Sequence, residues 1–66
     1  MNVIVNGETR ECGEACTVAR LLAELRFPTR GIAVEVNEQI VPQARHETYE
    51  LHGGDRIELV SLAGGG

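Results

Sequence analysis

The sequence predicts an α+β domain, a mixed sheet of four to five strands with one main helix packed on one face. Three observations predict it. One apolar stripe at helical spacing runs through Val18, Leu21, Leu22 and Leu25. Short segments rich in Val and Ile, with alternating polarity, lie on both sides of it. A single helix stripe has nothing to cover it except a sheet, so helix and strands must share one core.

Taken in order, Val3 to Val5 reads as a strand, and Asn6-Gly7 follows at once. That dipeptide suits a type I′ hairpin turn, whose two central residues both need φ > 0. Glu8 to Cys12 is then the return strand, charged enough to sit at a sheet edge. Gly13-Glu14 breaks the pattern. Thr17 is a helix N-cap, and Pro28 ends the helix at about Phe27. After Gly31, Ile32, Val34 and Val36 face one side of a strand while Ala33 and Glu35 face the other. Asn37 to Gln39 turns, Ile40-Val41 is a short apolar piece, and Pro42 ends it. Gln43 to Leu51 is polar and irregular, with room for one helical turn. Gly53-Gly54-Asp55 turns into a last strand, Arg56 to Leu62, with Asp55 closing that turn by bonding local backbone.

The order hairpin, helix, strand, short strand, strand is the β-grasp plan, with the first and last strands near the sheet centre. The core then holds Val3, Val5, Val18, Leu21, Leu22, Leu25, Val34, Val36, Ile57 and Leu59. Ile4, Val60 and Leu62 are apolar but out of phase with that set. They fall on the opposite face of the sheet, where an apolar patch is a candidate docking surface.

At 66 residues the chain allows one domain. The division expected is a β-grasp domain over 1–62 and a flexible Gly-rich tail over 63–66. A composition of 42% hydrophobic and 24% charged residues excludes disorder of the whole chain. The net charge of −4, with six scattered arginines and no lysine, argues against nucleic-acid binding. No apolar run is long enough for a membrane span and no leader pattern opens the chain. The expected location is therefore the cytoplasm, with Cys12 and Cys16 as reduced thiols. Those cysteines with His46 and His52 do not match a zinc-finger spacing, so no metal site is expected. His46 and His52 read as solvated loop residues.

The remaining feature is the end, Ala63-Gly64-Gly65-Gly66. Glycines there lose much backbone freedom on ordering and bury no side chain in return. Such a segment is thin enough to thread a narrow channel, and the carbonyl of Gly66 is open to attack. A free carboxylate is a poor electrophile until it is activated, for instance as an acyl-adenylate. Nothing in the chain resembles a nucleotide site, because Gly53-Gly54 lacks the Lys of a phosphate loop. A glycine-rich end is also what a frayed terminus looks like.

The whole pattern resembles the ThiS family of sulfur carriers in thiamine biosynthesis, a ubiquitin-like β-grasp group. The matching pieces are Met1 to Gly7, Thr17-Val18-x-x-Leu21-Leu22, Ala33-Val34-x-Val36-Asn37 with Ile40-Val41-Pro42, Gly54-Asp55-x-Ile57-Glu58-Leu59-Val60, and Gly65-Gly66. What the resemblance implies is a co-substrate rather than an enzyme. A ThiF-like adenylyltransferase would use ATP to adenylate the Gly66 carboxylate, with Gly64, Gly65 and Gly66 in its active site. Sulfur drawn from cysteine by a desulfurase would convert the adenylate to a thiocarboxylate. A ThiG-like thiazole synthase would then receive the sulfur. The carrier itself would bind no cofactor. Alternatives are the small subunit of molybdopterin synthase or another sulfur carrier, a ubiquitin-like protein modifier, and a plain binding module whose tail is irrelevant. Molybdopterin synthase small subunits tend to be longer and richer in aromatic residues than this chain, which has only Phe27 and Tyr49.

Overall fold

The computed structural model describes residues 1–28 and 30–62. Five strands and one α-helix follow in the order β1 (Asn2–Val5), β2 (Glu8–Glu11), α1 (Val18–Glu24), β3 (Ile32–Val36), β4 (Gln39–Val41) and β5 (Arg56–Ser61). A short 3₁₀ turn, Gln43–Arg45, stands between β4 and β5. The strands form one sheet in the order β2-β1-β5-β3-β4. Only the β1–β5 pairing is parallel; the other three are antiparallel. This is the mixed sheet expected, with β5 at its centre and the charged β2 at one edge.

Local chemistry sets the elements. Asn6 and Gly7 have φ of 50° and 85°, as a type I′ turn needs. Asn37 and Glu38 repeat that turn between β3 and β4 at 52° and 71°. Thr17 caps the helix, its hydroxyl accepting from the Arg20 N–H at 3.2 Å. The helix stops earlier than Pro28 alone suggests. Leu25 is the C-cap and Arg26 turns left-handed at φ 63°. The N–H of Phe27 then reaches back to Leu22 O (2.9 Å), and that of Arg26 to Ala23 O (3.1 Å). That is a Schellman ending with an arginine where glycine is usual.

The helix lays Val18, Leu21 and Leu22 on the inward residues of the sheet: Val3, Val5, Val34, Val36, Val41, Ile57 and Leu59. Each fully buried aliphatic side chain contributes roughly 1.5–3 kcal/mol. Leu25, expected in the core, is only partly buried and packs against its margin.

Two expectations are corrected. His46, expected to be solvated, is buried together with Leu51, while the other residues of the polar segment 43–51 are half-buried or exposed and His52 is exposed as expected. The reason is the start of the helix, whose first N–H groups lack intrahelical partners. Val18 N donates to Tyr49 O (3.0 Å) and Ala19 N to His46 O (2.8 Å). The segment is thereby drawn onto the core, and the His46 ring is held by Val41 O at 3.0 Å. Second, Cys12 and Cys16 are joined in a disulfide, not left as free thiols. That expectation rested on compartment, not on proximity. Cys12 N donates to Met1 O and Leu51 N to Cys16 O. These bonds hold the two cysteines on one buried spot with Cα atoms 6.3 Å apart, a separation a disulfide spans.

Two predictions follow from the backbone. Arg26→Gly and Glu38→Gly should each raise the unfolding free energy by about 1 kcal/mol, because both residues are held left-handed; denaturant titration checks this. Opening the short Cys12–Cys16 loop should lower stability by about 2 kcal/mol on loop entropy. Melts with and without reductant measure it, and intact mass without reductant should be lighter than the dithiol by a pair of hydrogens.

Candidate functional site

The strand alternation that fills the core also decides what faces outward. On β5 the inward residues are Ile57 and Leu59, so Arg56, Glu58 and Val60 point away from the helix. Registers carry that phase across the sheet: Ile4 stands beside Arg56, Glu35 beside Glu58 and Ala33 beside Val60. On the far side of β3, Ile40 stands beside Glu35.

The predicted docking residues therefore share one face. Val60 is 51% and Leu62 66% exposed, while Ile4 is half-buried. Ile40, 71% exposed, belongs to the same face. Sequence reasoning missed it because so short a strand gives no clear phase; its place opposite Glu35 supplies one. Between the apolar side chains lie three carboxylates, Glu35, Glu38 and Glu58, around an open depression of about 390 Å³ that Arg56 and Asn37 also line. Glu35 and Glu58 are directly paired across the strands, an arrangement that costs stability. None of the ion pairs among the described residues involves these carboxylates.

A larger depression of about 490 Å³, lined by Asn37, Arg45, Tyr49, His52 and Asp55 among others, lies beside the start of β5 and shares Asn37 with the first. Two of its polar groups, Asn37 and Asp55, are committed to the backbone and to each other. The Asp55 carboxylate accepts from His52 N–H at 2.7 Å and from the Asn37 amide at 3.0 Å. The Asn37 amide oxygen accepts from Arg56 N–H at 3.0 Å. Asp55 thus closes its turn, as its position after Gly54 suggested. The zinc set weighed from sequence is not assembled: Cys12 and Cys16 bind each other, and the His46 ring bonds Val41 O. Among the described residues, no group of three or more His, Cys, Asp or Glu side chains gathers to hold a metal ion. No helix among them is long and apolar enough to cross a membrane.

Gly64, Gly65 and Gly66 lie outside the described residues. What the structure places is the strand that leads to them. β5 is held by β1 on one side and β3 on the other, and Leu62 N–H still donates to Gly31 O at 2.6 Å. The chain end thus issues from the central strand, at the same end of the sheet as the β1–β2 turn.

Comparison with known proteins supplies the kinship. The chain is 39% identical over 66 residues to a thiazole synthase of Paramagnetospirillum magneticum, but spans only 20% of that protein's length. It is 32% identical to the sulfur carrier protein ThiS of Escherichia coli K12, covering the whole of both. The crystal structure of the thiamine biosynthesis protein ThiS from Geobacter metallireducens superposes with a TM-score of 0.84 at 28% identity, again over the whole of both chains. The family model for ThiS matches residues 3–66. With the β-grasp sheet shared along its full length, and the match running from β1 to the last glycine, this chain belongs to the ThiS family.

Proposed function

We propose that this protein is a sulfur carrier in thiamine biosynthesis whose working group is the carboxylate of Gly66. The observation that carries the reading is a family match that extends through Gly66 itself. A carboxylate resists nucleophiles because it is already an anion. A ThiF-like enzyme would remove that obstacle with ATP: a carboxylate oxygen attacks the α-phosphorus and pyrophosphate leaves. A sulfur nucleophile derived from cysteine by a desulfurase then attacks the carbonyl carbon. The nucleophile is a persulfide, so AMP leaves with the oxygen to give an acyl disulfide. A second thiol then cleaves its S–S bond, becoming a disulfide itself and leaving the thiocarboxylate. A ThiG-like thiazole synthase takes the sulfur and returns the carboxylate. The carrier acts as co-substrate, and every nucleotide contact belongs to the partner.

The relative from Paramagnetospirillum supports the last partner. There a segment similar to this chain makes up one fifth of a thiazole synthase. The tail Gly64-Gly65-Gly66 suits threading into a partner's active site, having no Cβ to collide with its walls. The outward face of Ile4, Val60 and Leu62, extended by Ile40, is the proposed docking surface. Its like-charge pair of Glu35 and Glu58 fits a partner face that carries cationic side chains.

Incubation with a cognate activating enzyme, ATP and a desulfurase with cysteine should give a mass gain equal to exchange of one oxygen for one sulfur, located at Gly66. Removing Gly65 and Gly66 should abolish it. A stable amide to another protein in place of that gain would favour a protein modifier. An unaltered cellular function after the deletion would favour a plain binding module.

The docking face has its own test. In the double variant Val60→Thr, Leu62→Ser the first change keeps strand propensity and the second lies just beyond β5, so stability should change by no more than about 0.5 kcal/mol, since both side chains are exposed. The KM for the carrier in adenylation should nevertheless rise about tenfold, the equivalent of about 1.4 kcal/mol of lost contact. An unchanged KM would place docking elsewhere.

A further inference from the structure

The hairpin residue Asn6 has a second task. The backbone of β1 pairs with β5 only as far as Val5 beside Ile57, with Asn6 N–H donating to Ile57 O at 2.9 Å. There β1 turns away at Gly7. The next rung of the ladder is supplied by a side chain. Leu59 N–H donates to the Asn6 side-chain oxygen at 2.9 Å, and the Asn6 side-chain amide donates to Leu59 O at 3.5 Å. The carboxamide reproduces a peptide group, one acceptor and one donor, against a residue 53 positions away. Beyond Leu59, among the described residues, β5 is supported on the β3 side only, through Ala33 beside Val60 and Ile32 beside Ser61.

We propose that Asn6 is a positioning residue for loading of the chain end. By clamping Leu59 it sets where two-sided support of β5 stops, and so the direction in which the chain sets out toward Gly66. This rests on the carrier reading above. The clamp touches neither the outward docking side chains nor the reacting carboxylate. Its loss should therefore leave recognition intact and misplace the carboxylate, a fault that lowers turnover rather than affinity.

Asn6→Gly isolates the clamp, because glycine accepts the left-handed turn conformation while deleting the side chain. Asn6→Asp keeps the acceptor for Leu59 N–H and loses the donor. Thr17→Ala, a lost helix cap remote from β5, serves as the control for general destabilisation. Hydrogen exchange at the Leu59 amide should accelerate at least about tenfold in Asn6→Gly. Adenylation by the cognate activating enzyme should show kcat down about tenfold with the carrier KM within about twofold. Asn6→Asp should recover part of both effects, and Thr17→Ala should show neither.

Wild-type kcat in Asn6→Gly, or an equal fall in kcat for Thr17→Ala, would overturn the proposal. So would a rise in KM with kcat preserved. If the wild-type chain is not adenylated at all, the carrier reading falls and the positioning role falls with it. Faster Leu59 exchange in Asn6→Gly would then still report the clamp as a structural fact.

Discussion

Ile4 and Val5 of β1 lie alongside Arg56 and Ile57 of β5, running the same way. Parallel neighbours cannot be joined by a tight turn, so the chain between them must cross over. Here the crossover carries the helix, which buries its apolar stripe on the sheet it spans. In the order β2-β1-β5-β3-β4 the two hairpins meet only through β5. Before β5 inserts, each hairpin has an open edge and the helix covers two unjoined halves. The last of these five strands in sequence order is therefore the one that completes the core. Its contacts are almost all distant in sequence, which makes closure a late event in folding. The strand that leads to the chain end is also the strand whose loss would undo the domain.

Most of this was legible because it is local. Two-residue alternation in Val3 to Val5, Ile32 to Val36 and Arg56 to Leu62, and the three-four spacing of Val18, Leu21 and Leu22, are properties of neighbours. Asn6-Gly7 and Thr17 act within a few residues. Such signals need no knowledge of the remainder of the chain. The outward apolar face was legible on the same ground, since Ile4, Val60 and Leu62 are apolar residues in the wrong phase for the core.

What was not legible depends on distant partners. The segment 43–51 is polar by composition, yet His46 and Leu51 are buried. Their burial follows from unsatisfied N–H groups at the helix start, which recruit the carbonyls of Tyr49 and His46. Nothing within the segment announces that demand. The cysteine pair is similar: five residues containing two cysteines state no geometry until β2 and the helix are placed. The helix end shows the limit of a single signal. Pro28 restricts Phe27, but Arg26 has already ended the helix by turning left-handed. The clamp by Asn6 was hidden most fully, because its hairpin role accounts for the residue and its other partner lies 53 positions away.

A domain of this size has no interior to spare for a reaction site, and in its larger depression Asn37 and Asp55 are already engaged in closing the turns beside them. In the proposed chemistry that is no deficit. The reacting atom lies at the chain end, and the enzymes that handle it supply nucleotide, sulfur and acid–base groups. What remains for the carrier is to be recognised and to present that end in a consistent place. Both tasks fall on β5. Its outward side chains, Glu58 and Val60, belong to the candidate docking face, and its backbone continues toward Gly66. Recognition and presentation are then set by one rigid strand rather than by two elements that must be aligned. The core fixes that strand from the helix side, β3 fixes it along one edge, and β1, prolonged by a single carboxamide, fixes it along the other.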